Sequence, residues 1–283
     1  MFQVINLTKV YPDGTVALRD VSFDVEPGEF LVVIGLSGSG KSTLLRCINR
    51  LIDPTEGRVV WDSRDITAMA AEDLRFARRQ IGMIFQHFNL VRRLSVLNNV
   101  LTGRLGYTSP LRSLTYRFSA HERELAMSAL ERVGIADQAR KRADELSGGQ
   151  QQRVGIARAL MQQPRMILAD EPVASLDPVL AHSILGHLEK LNQEEGITVI
   201  CSLHYLDLVQ RYATRVIGLR DGRIVYRGTR EQIRRMTDEQ FKDIYGEEAE
   251  RVGVAGTGTT EGTAASEGTA ATEGAGATEG SVS

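Results

Sequence analysis

The chain has few of the residues that mark secreted, membrane-spanning or nucleic-acid-coating proteins. Its only cysteines, Cys47 and Cys201, are too few for a disulfide framework and suit a reducing compartment. No apolar run approaches the roughly 18 residues of a spanning helix, and no basic start precedes an apolar segment at the N-terminus. The formal net charge is −2, so we expect no nucleic-acid partner. The sequence predicts a chain kept in the cytoplasm, with any membrane attachment made through a partner.

After Arg251 the chain lacks both basic residues and large apolar residues. The only charges in this repetitive stretch, "TEGTAASEGTAATEGAGATEG", are Glu261, Glu267, Glu273 and Glu279. They contribute −4 to the net charge of −2, which leaves +2 for the rest of the chain. Because this composition buries too little surface to offset chain entropy, we predict a disordered acidic tail over 251–283. A chain with 42% hydrophobic residues can bury a sizeable core, and we predict that residues 1–250 form one large domain around it.

The apolar residues form strand patterns that alternate with helical ones. "FQVINLT" and "VALRDVSFDVE" alternate with period two, and "FLVVIG", "GRVVW", "IGMIF", "RMILAD", "ITVICS" and "RVIGL" predict buried strands. Residues 122–133 have one apolar helical face, and Asp221-Gly222 predicts a hairpin turn. Strands alternating with helices favour an α/β fold with a mostly parallel sheet, with the N-terminal strands as an antiparallel side-sheet.

"GLSGSGKS" matches G-x-x-x-x-G-K-[ST] at every fixed position, between a predicted strand and a predicted helix. Glycines let backbone N–H groups point at phosphate oxygens, and the helix N-terminus adds its positive dipole end. Lys41 can reach the β- and γ-phosphates, and the Ser42 hydroxyl can ligate Mg²⁺. The sequence predicts an ATP site at this loop. Its predicted contacts are Gly35, Leu36, Ser37, Gly38, Ser39, Gly40, Lys41, Ser42 and Thr43.

"MILADEP" is an apolar strand that ends in two acids. Asp170 at the strand end is placed to hold a Mg²⁺ shell, and Glu171 beside it is suited to orient and polarise the attacking water. An Asp-Glu pair before Pro172 could also cap the next helix. The phosphate loop favours the catalytic interpretation.

"LSGGQQQRVGIARAL" places two glycines and three glutamines at the start of a helix. With the phosphate loop and the Asp-Glu strand, it resembles the ATP-binding subunits of ABC transporters over about 2–230. The resemblance implies a P-loop NTPase core with an N-terminal antiparallel β subdomain and an inserted α-helical subdomain at about 87–160. It also implies that this segment contacts the γ-phosphate of ATP bound to a second copy of the chain. The residues concerned are Ser147, Gly148, Gly149 and Gln150.

Four further positions match the same family one at a time. Tyr11 matches an aromatic residue that stacks on adenine, and Gln86 a glutamine that reaches the metal and the attacking water. Asp177 matches an aspartate of the loop that crosses the dimer interface, and His204 a histidine that contacts the γ-phosphate. Taken alone, Tyr11 could be a surface residue at a strand end and His204 a structural histidine.

Spacing narrows the class within the family. Ser147 lies 106 residues after Lys41, which leaves no room for a long coiled-coil arm. Residues 83–106 and 170–178 look like the ATP-binding subunit of phosphonate importers, although Leu36 replaces a frequent proline. That resemblance implies two membrane permease subunits, an extracytoplasmic phosphonate-binding protein and a peripheral position at the cytoplasmic face of the membrane. Two alternatives stay open. The chain could belong to an importer for another oxyanion or polar amino acid, or it could be a soluble ABC ATPase acting on nucleic acid.

Overall fold

The computed structural model describes residues 1–108, 118–174 and 176–245 of the chain. The predicted tail over 251–283 lies outside the described residues. In these ranges ten strands form two sheets. The strands are β1 (Phe2–Val10), β2 (Val16–Val25), β3 (Phe30–Ile34), β4 (Glu56–Trp61), β5 (Arg64–Asp65), β6 (Ile81–Ile84), β7 (Met166–Ala169), β8 (Thr198–Ser202), β9 (Arg215–Arg220) and β10 (Arg223–Thr229).

Nine α-helices are described besides short 3₁₀ turns. The helices are α1 (Lys41–Ile48), α2 (Ala71–Arg79), α3 (Val96–Leu101), α4 (Ala120–Arg132), α5 (Gly148–Leu160), α6 (Pro178–Glu195), α7 (Leu206–Tyr212), α8 (Arg230–Arg234) and α9 (Asp238–Tyr245). The turns are Ile66–Ala68, Thr102–Tyr107, Ala136–Gln138 and Ala143–Glu145. Within the described ranges, no helix is long and apolar enough to cross a membrane.

The smaller sheet is antiparallel, in the order β2-β1-β4-β5. The prediction of an N-terminal antiparallel side-sheet is therefore confirmed. The expectation that "GRVVW" is a buried strand is right about the strand and wrong about its burial. Val59 alone is buried in β4, because that strand lies in the side-sheet with one face toward solvent.

The larger sheet has the order β10-β9-β3-β8-β7-β6 and is parallel except for β10. Asp221 and Gly222 both have positive φ, 51° and 74°, as a two-residue hairpin turn requires, so the predicted hairpin between β9 and β10 is confirmed. Val32 of β3 belongs to one hydrophobic cluster and Val33 to the other, so this central strand is covered on both faces. The α/β prediction is confirmed.

The carboxyl ends of β3, β6, β7 and β8 lie at one edge of this sheet because the four strands are parallel. In open α/β sheets ligands bind outside this edge. The phosphate loop follows β3, Gln86 follows β6, Asp170 follows β7 and His204 follows β8. Topology alone thus gathers residues that are more than a hundred positions apart in the sequence.

Candidate active site

The loop between β3 and α1 can be built only with glycine at two positions. Gly35 and Gly40 have φ of 146° and 104°, a region that side chains rarely adopt. A Cβ on Gly40 would lie 2.4 Å from the Ala17 carbonyl oxygen, and one on Gly35 would lie 2.2 Å from that of Leu219. Gly40 is also the N-cap of α1 and supplies no side-chain cap. The first amides of α1 therefore remain available to an anion.

Lys41 opens α1 with its side chain only 3% exposed. Its ammonium donates to the carbonyls of Gly35 at 2.7 Å and Leu36 at 2.8 Å, and lies 3.6 Å from a Glu171 oxygen. Burial lowers the pKa of Lys41, and the charges of Glu171 and Asp170 oppose that shift. The loop thus holds a positive charge at its centre.

Ser42 and Asp170 form a hydroxyl–carboxylate pair beside this loop. The Ser42 Oγ donates to Asp170 Oδ1 at 2.7 Å, and Arg46 lies 3.5 Å from Oδ2. Asp170 is 1% exposed. One hydroxyl and one carboxylate next to a phosphate loop form a donor set that suits Mg²⁺, which takes one or two carboxylates together with substrate phosphates.

Glu171 is the centre of a hydrogen-bonded cluster. Gln86 Nε2 donates to its Oε2 at 3.0 Å, and His204 Nε2 lies 2.5 Å from its Oε1. The pKa of Glu171 is lowered by the bond with His204 first, and further by the charges of His204 and Lys41, against the opposing effect of burial. The carboxylate is therefore ionised at neutral pH and can accept a proton.

The Glu171 backbone is in the left-handed region, with φ of 47°. Its N–H donates to the Ser202 hydroxyl at 2.8 Å, and that hydroxyl lies 3.5 Å from the Ala169 carbonyl oxygen. Ser202 is fully buried at the end of β8. Sequence reasoning missed Ser202, although a hydroxyl at the end of an otherwise apolar strand was a usable signal.

Other predicted contacts lie around the loop. The Tyr11 hydroxyl is 3.2 Å from Thr43 Oγ1, so the tyrosine stands beside the phosphate loop. Ser37 and Gly38 are exposed at the loop's tip. The Ser39 hydroxyl is buried and has no hydrogen-bond partner among the described residues. A buried hydroxyl of this kind fits a site that is completed by a ligand.

The second group of predicted residues lies at helix starts. The Ser147 hydroxyl accepts from the Gln150 N–H, and the Gln150 side chain accepts from the Ser147 N–H, which is a capping box at the start of α5. Asp177 caps α6 by accepting from the Leu180 N–H at 3.0 Å. Ser147 and Gly148 are exposed, whereas Gly149 is buried against Leu180. No hydrogen bond within the described part of the chain joins this group to the phosphate loop.

The three glutamines after Gly149 lie at different depths. Gln150 and Gln151 are half-buried and bond to the backbone at Ser147 and Leu146. Gln152 is fully buried. The reason is that α5 packs between α3, α4 and α6, which covers most of its circumference.

A buried lysine in a glycine loop, a hydroxyl–carboxylate pair and an ionised glutamate at one sheet edge define a P-loop nucleotide-hydrolysing protein. The family model described as "ABC transporter" matches residues 18–174. The chain belongs to the ABC transporter family, as an ATPase that binds nucleotide. The predicted family is confirmed.

Curated relatives match over nearly their whole length. "Phosphonates import ATP-binding protein PhnC" of Bdellovibrio bacteriovorus is 56% identical over 253 residues, which cover 89% of this chain and 96% of the relative. "Phosphonates import ATP-binding protein PhnC 1" of Halalkalibacterium halodurans is 51% identical over 246 residues, covering 87% of this chain and 95% of the relative.

Solved structures of similar fold are ABC cassettes. MJ0796, described as a bacterial ABC transporter cassette in a dimeric structure, matches with a TM-score of 0.73 and 37% identity over 81% of this chain and 98% of that one. The ADP conformation of MJ1267, an ATP-binding cassette of an ABC transporter, matches with a TM-score of 0.74 and 32% identity over 89% and 97%.

Proposed function

We propose that this chain is the ATP-hydrolysing subunit of an importer that takes up phosphonates. The observation that carries the ATPase assignment is the cluster of Lys41, Glu171, His204 and Gln86 at one sheet edge. The cargo assignment is supported by relatives named for phosphonates import that are more than half identical to this chain.

The chain's own residues suit each part of the reaction. Lys41 and the first amides of α1 bind the β- and γ-phosphates of ATP, which positions the terminal phosphoryl group. Glu171 accepts a proton from the attacking water, while His204 and Gln86 hold its two oxygens in place. Ser42 and Asp170 would hold Mg²⁺, which neutralises phosphate charge when it is bound.

Ser147 to Gln150 complete the site of a second copy in this proposal. The Ser147 hydroxyl and the exposed Gly148 lie at the N-terminus of α5, where a helix dipole favours an anion. Gly148 has no side chain to obstruct a phosphate. Two chains facing each other would therefore bind two ATP molecules between them. The dimeric structure of MJ0796 supports this arrangement.

The importer assignment places two permease subunits above this pair and an extracytoplasmic phosphonate-binding protein beyond them. The chain itself would lie at the cytoplasmic face of the membrane as a peripheral subunit. A groove of about 430 Å³ beside Gln86, lined also by Phe88, Leu90, Arg92 and Gln151, is suited to a short coupling segment of a permease. Movement there would reach Glu171 through Gln86.

The test is the ATPase activity of the complex isolated from native membranes by a tag on this chain. The complex is reconstituted in lipid with its binding protein, and methylphosphonate, aminoethylphosphonate or phosphate is added in turn. We expect stimulation by the phosphonates over phosphate. A Glu171→Gln complex serves as the control for contaminating ATPases.

The possible results test the ATPase role, the cargo and the importer role separately. A permease partner that responds only to another oxyanion or an amino acid keeps the motor and rejects the cargo. Recovery of no membrane partner, together with stimulation by nucleic acid, rejects the importer.

A further inference from the structure

Acidic residues are absent from one long part of the sequence. From Leu74 to His121 there is no Asp or Glu, and there are eight arginines. Two of the eight, Arg112 and Arg117, lie outside the described residues. Charges of both signs are interspersed elsewhere in 1–250, so this segregation is local. Arginines concentrated without carboxylates indicate a surface that meets anions.

The fold brings four of these arginines together. Arg75, Arg78 and Arg79 lie at positions i, i+3 and i+4 of α2, on one helical face. They face the turn Thr102–Tyr107. The guanidinium carbons of Arg79 and Arg104 lie 4.8 Å and 3.9 Å from the centre of the Tyr107 ring.

A cavity of about 400 Å³ opens between the helix and the turn. Its walls include Arg75, Arg78, Arg79, Tyr107 and the side-chain-free Gly103. We call it the arginine pocket.

Within the described part of the chain, Arg75, Arg78 and Arg79 form no ion pair. All ion pairs in the described residues are formed by other basic groups. Arg75 donates to the Leu105 and Thr108 carbonyls, and Arg78 to that of Asn49, but carbonyls carry no net charge.

Two further observations concern the arginine side chains of the pocket. The buried Nε of Arg79 has no hydrogen-bond partner among the described residues. Burial lowers the pKa of Arg78, and the charge of Arg50 lowers it further against Asp53. A bound anion would offset the repulsion between Arg78 and Arg50.

We propose that the arginine pocket binds a phosphorus oxyanion, the tetrahedral headgroup shared by phosphate, alkylphosphonates and anionic phospholipids. A guanidinium group matches such an oxyanion through two parallel hydrogen bonds. Near neutral pH a phosphate monoester carries about 1.5 to 2 negative charges, which balances several arginines better than one carboxylate does. The phosphodiester of a phospholipid carries a single charge, so for that ligand the paired hydrogen bonds carry the argument. A Cβ on Gly106, which also lines the cavity, would lie 3.3 Å from Arg79 Cγ, so the glycine there leaves room beside the Arg79 side chain. This site is separate from the phosphate loop and is not needed for ATP binding.

Binding of inorganic phosphate and of methylphosphonate to the purified full chain is measured by calorimetry. The Lys41→Ala chain removes the contribution of the phosphate loop. We expect one saturable site to remain in it. Adding Arg75→Gln should weaken that site at least about tenfold, because a charge-assisted contact is lost. Arg79→Lys keeps the charge but not the paired hydrogen bonds and should weaken it less.

Arg93→Gln is the matched control, because Arg93 is exposed in the same acid-free stretch but does not line the pocket. It should leave the affinity unchanged. Arg75 is itself exposed, so Arg75→Gln should fold with an unchanged melting temperature. An equal loss of affinity in Arg93→Gln would contradict the proposal, since it would indicate diffuse attraction rather than a site. Absence of phosphate binding and lipid binding in the Lys41→Ala chain would overturn it.

Sedimentation with vesicles distinguishes the source of the oxyanion. Binding to phosphatidylglycerol but not phosphatidylcholine vesicles, lost in Arg75→Gln and without affinity for free phosphate, would identify a lipid headgroup. Binding only to an acidic peptide of a membrane subunit would overturn the oxyanion assignment. None of these measurements uses transport, so their result is independent of the proposed cargo.

Discussion

The phosphate loop and the segment that begins α5 are both glycine-containing helix starts, but they differ in what surrounds them. Lys41 is buried and meets two carbonyls and Glu171, and Ser42 meets Asp170. Ser147 is exposed, and its hydroxyl contacts only its own helix in the described structure. One half of the chemistry is thus preorganised within a single chain. The other half is presented outward, as expected for a surface that acts on a second copy.

The largest effect is expected from a change in the preorganised half of the site, at Glu171. Glu171→Gln removes the proton acceptor and keeps the shape of the side chain, so ATP hydrolysis should fall about a thousandfold. ATP binding should persist because Lys41 and the loop are intact, and an ATP-dependent dimer should accumulate. Turnover and size-exclusion chromatography with ATP are the measurements. Glu194→Gln, an exposed glutamate on α6, is the control. Brisk hydrolysis in Glu171→Gln would remove Glu171 from the role of base.

The next prediction tests whether the α5 start acts on another chain. Ser147→Arg should reduce hydrolysis about a hundredfold by placing a long side chain where the partner's phosphate binds. Lys41→Ala should be inactive because it loses the lysine that binds the phosphates in the chain's own site. When the two variants are mixed in equal amounts, about half of the dimers should be mixed, and each mixed dimer has one of its two composite sites intact. About a quarter of wild-type activity should therefore return. Mixed dimers that form but stay inactive at every ratio would count against action between chains.

These two halves were also unequally predictable from the sequence. The phosphate loop could be predicted because its glycines, lysine and serine are adjacent in the chain and each has a direct chemical reason. Gln86, His204 and Tyr11 came only from the family resemblance, since nothing in their local sequence indicates a site. The proximity of Gln86 and His204 depends on the order of parallel strands, and that of Tyr11 on how the antiparallel sheet packs beside them, which no local pattern encodes.

The misses have the same physical cause. Ser202 bonds to a residue on a different strand, so its position depends on strand register. Which of the three glutamines is buried, Gln152, likewise depends on three neighbouring helices and not on the local sequence. The strand β4 was correctly predicted from its residues, but which sheet it joins is a tertiary property.

A smaller effect is expected at Ser202, which supports Glu171 in the preorganised half of the site. Ser202→Ala removes the acceptor that holds the Glu171 backbone at positive φ. Losing one such bond should lower kcat about tenfold. KM for ATP should stay unchanged because Ser202 has no described contact with the phosphate loop. Ser202→Thr keeps the hydroxyl and should restore the rate. A rise in KM equal to the loss of kcat, or no rescue by threonine, would contradict a positioning role.

The smallest expected effect concerns Asp177, which caps α6 in the single chain and is placed at the dimer interface by family resemblance. Asp177→Ala removes the cap and should cost about 1 kcal/mol of folding free energy, or roughly 2–4 °C in melting temperature for a domain of this size. Asp177→Asn still accepts the Leu180 N–H and should melt like wild type. Its loss of negative charge should nevertheless slow ATP hydrolysis if the carboxylate acts across the interface. Equal melting temperatures for the alanine and asparagine variants would show that the cap contributes nothing, and wild-type hydrolysis in the asparagine variant would confine Asp177 to capping.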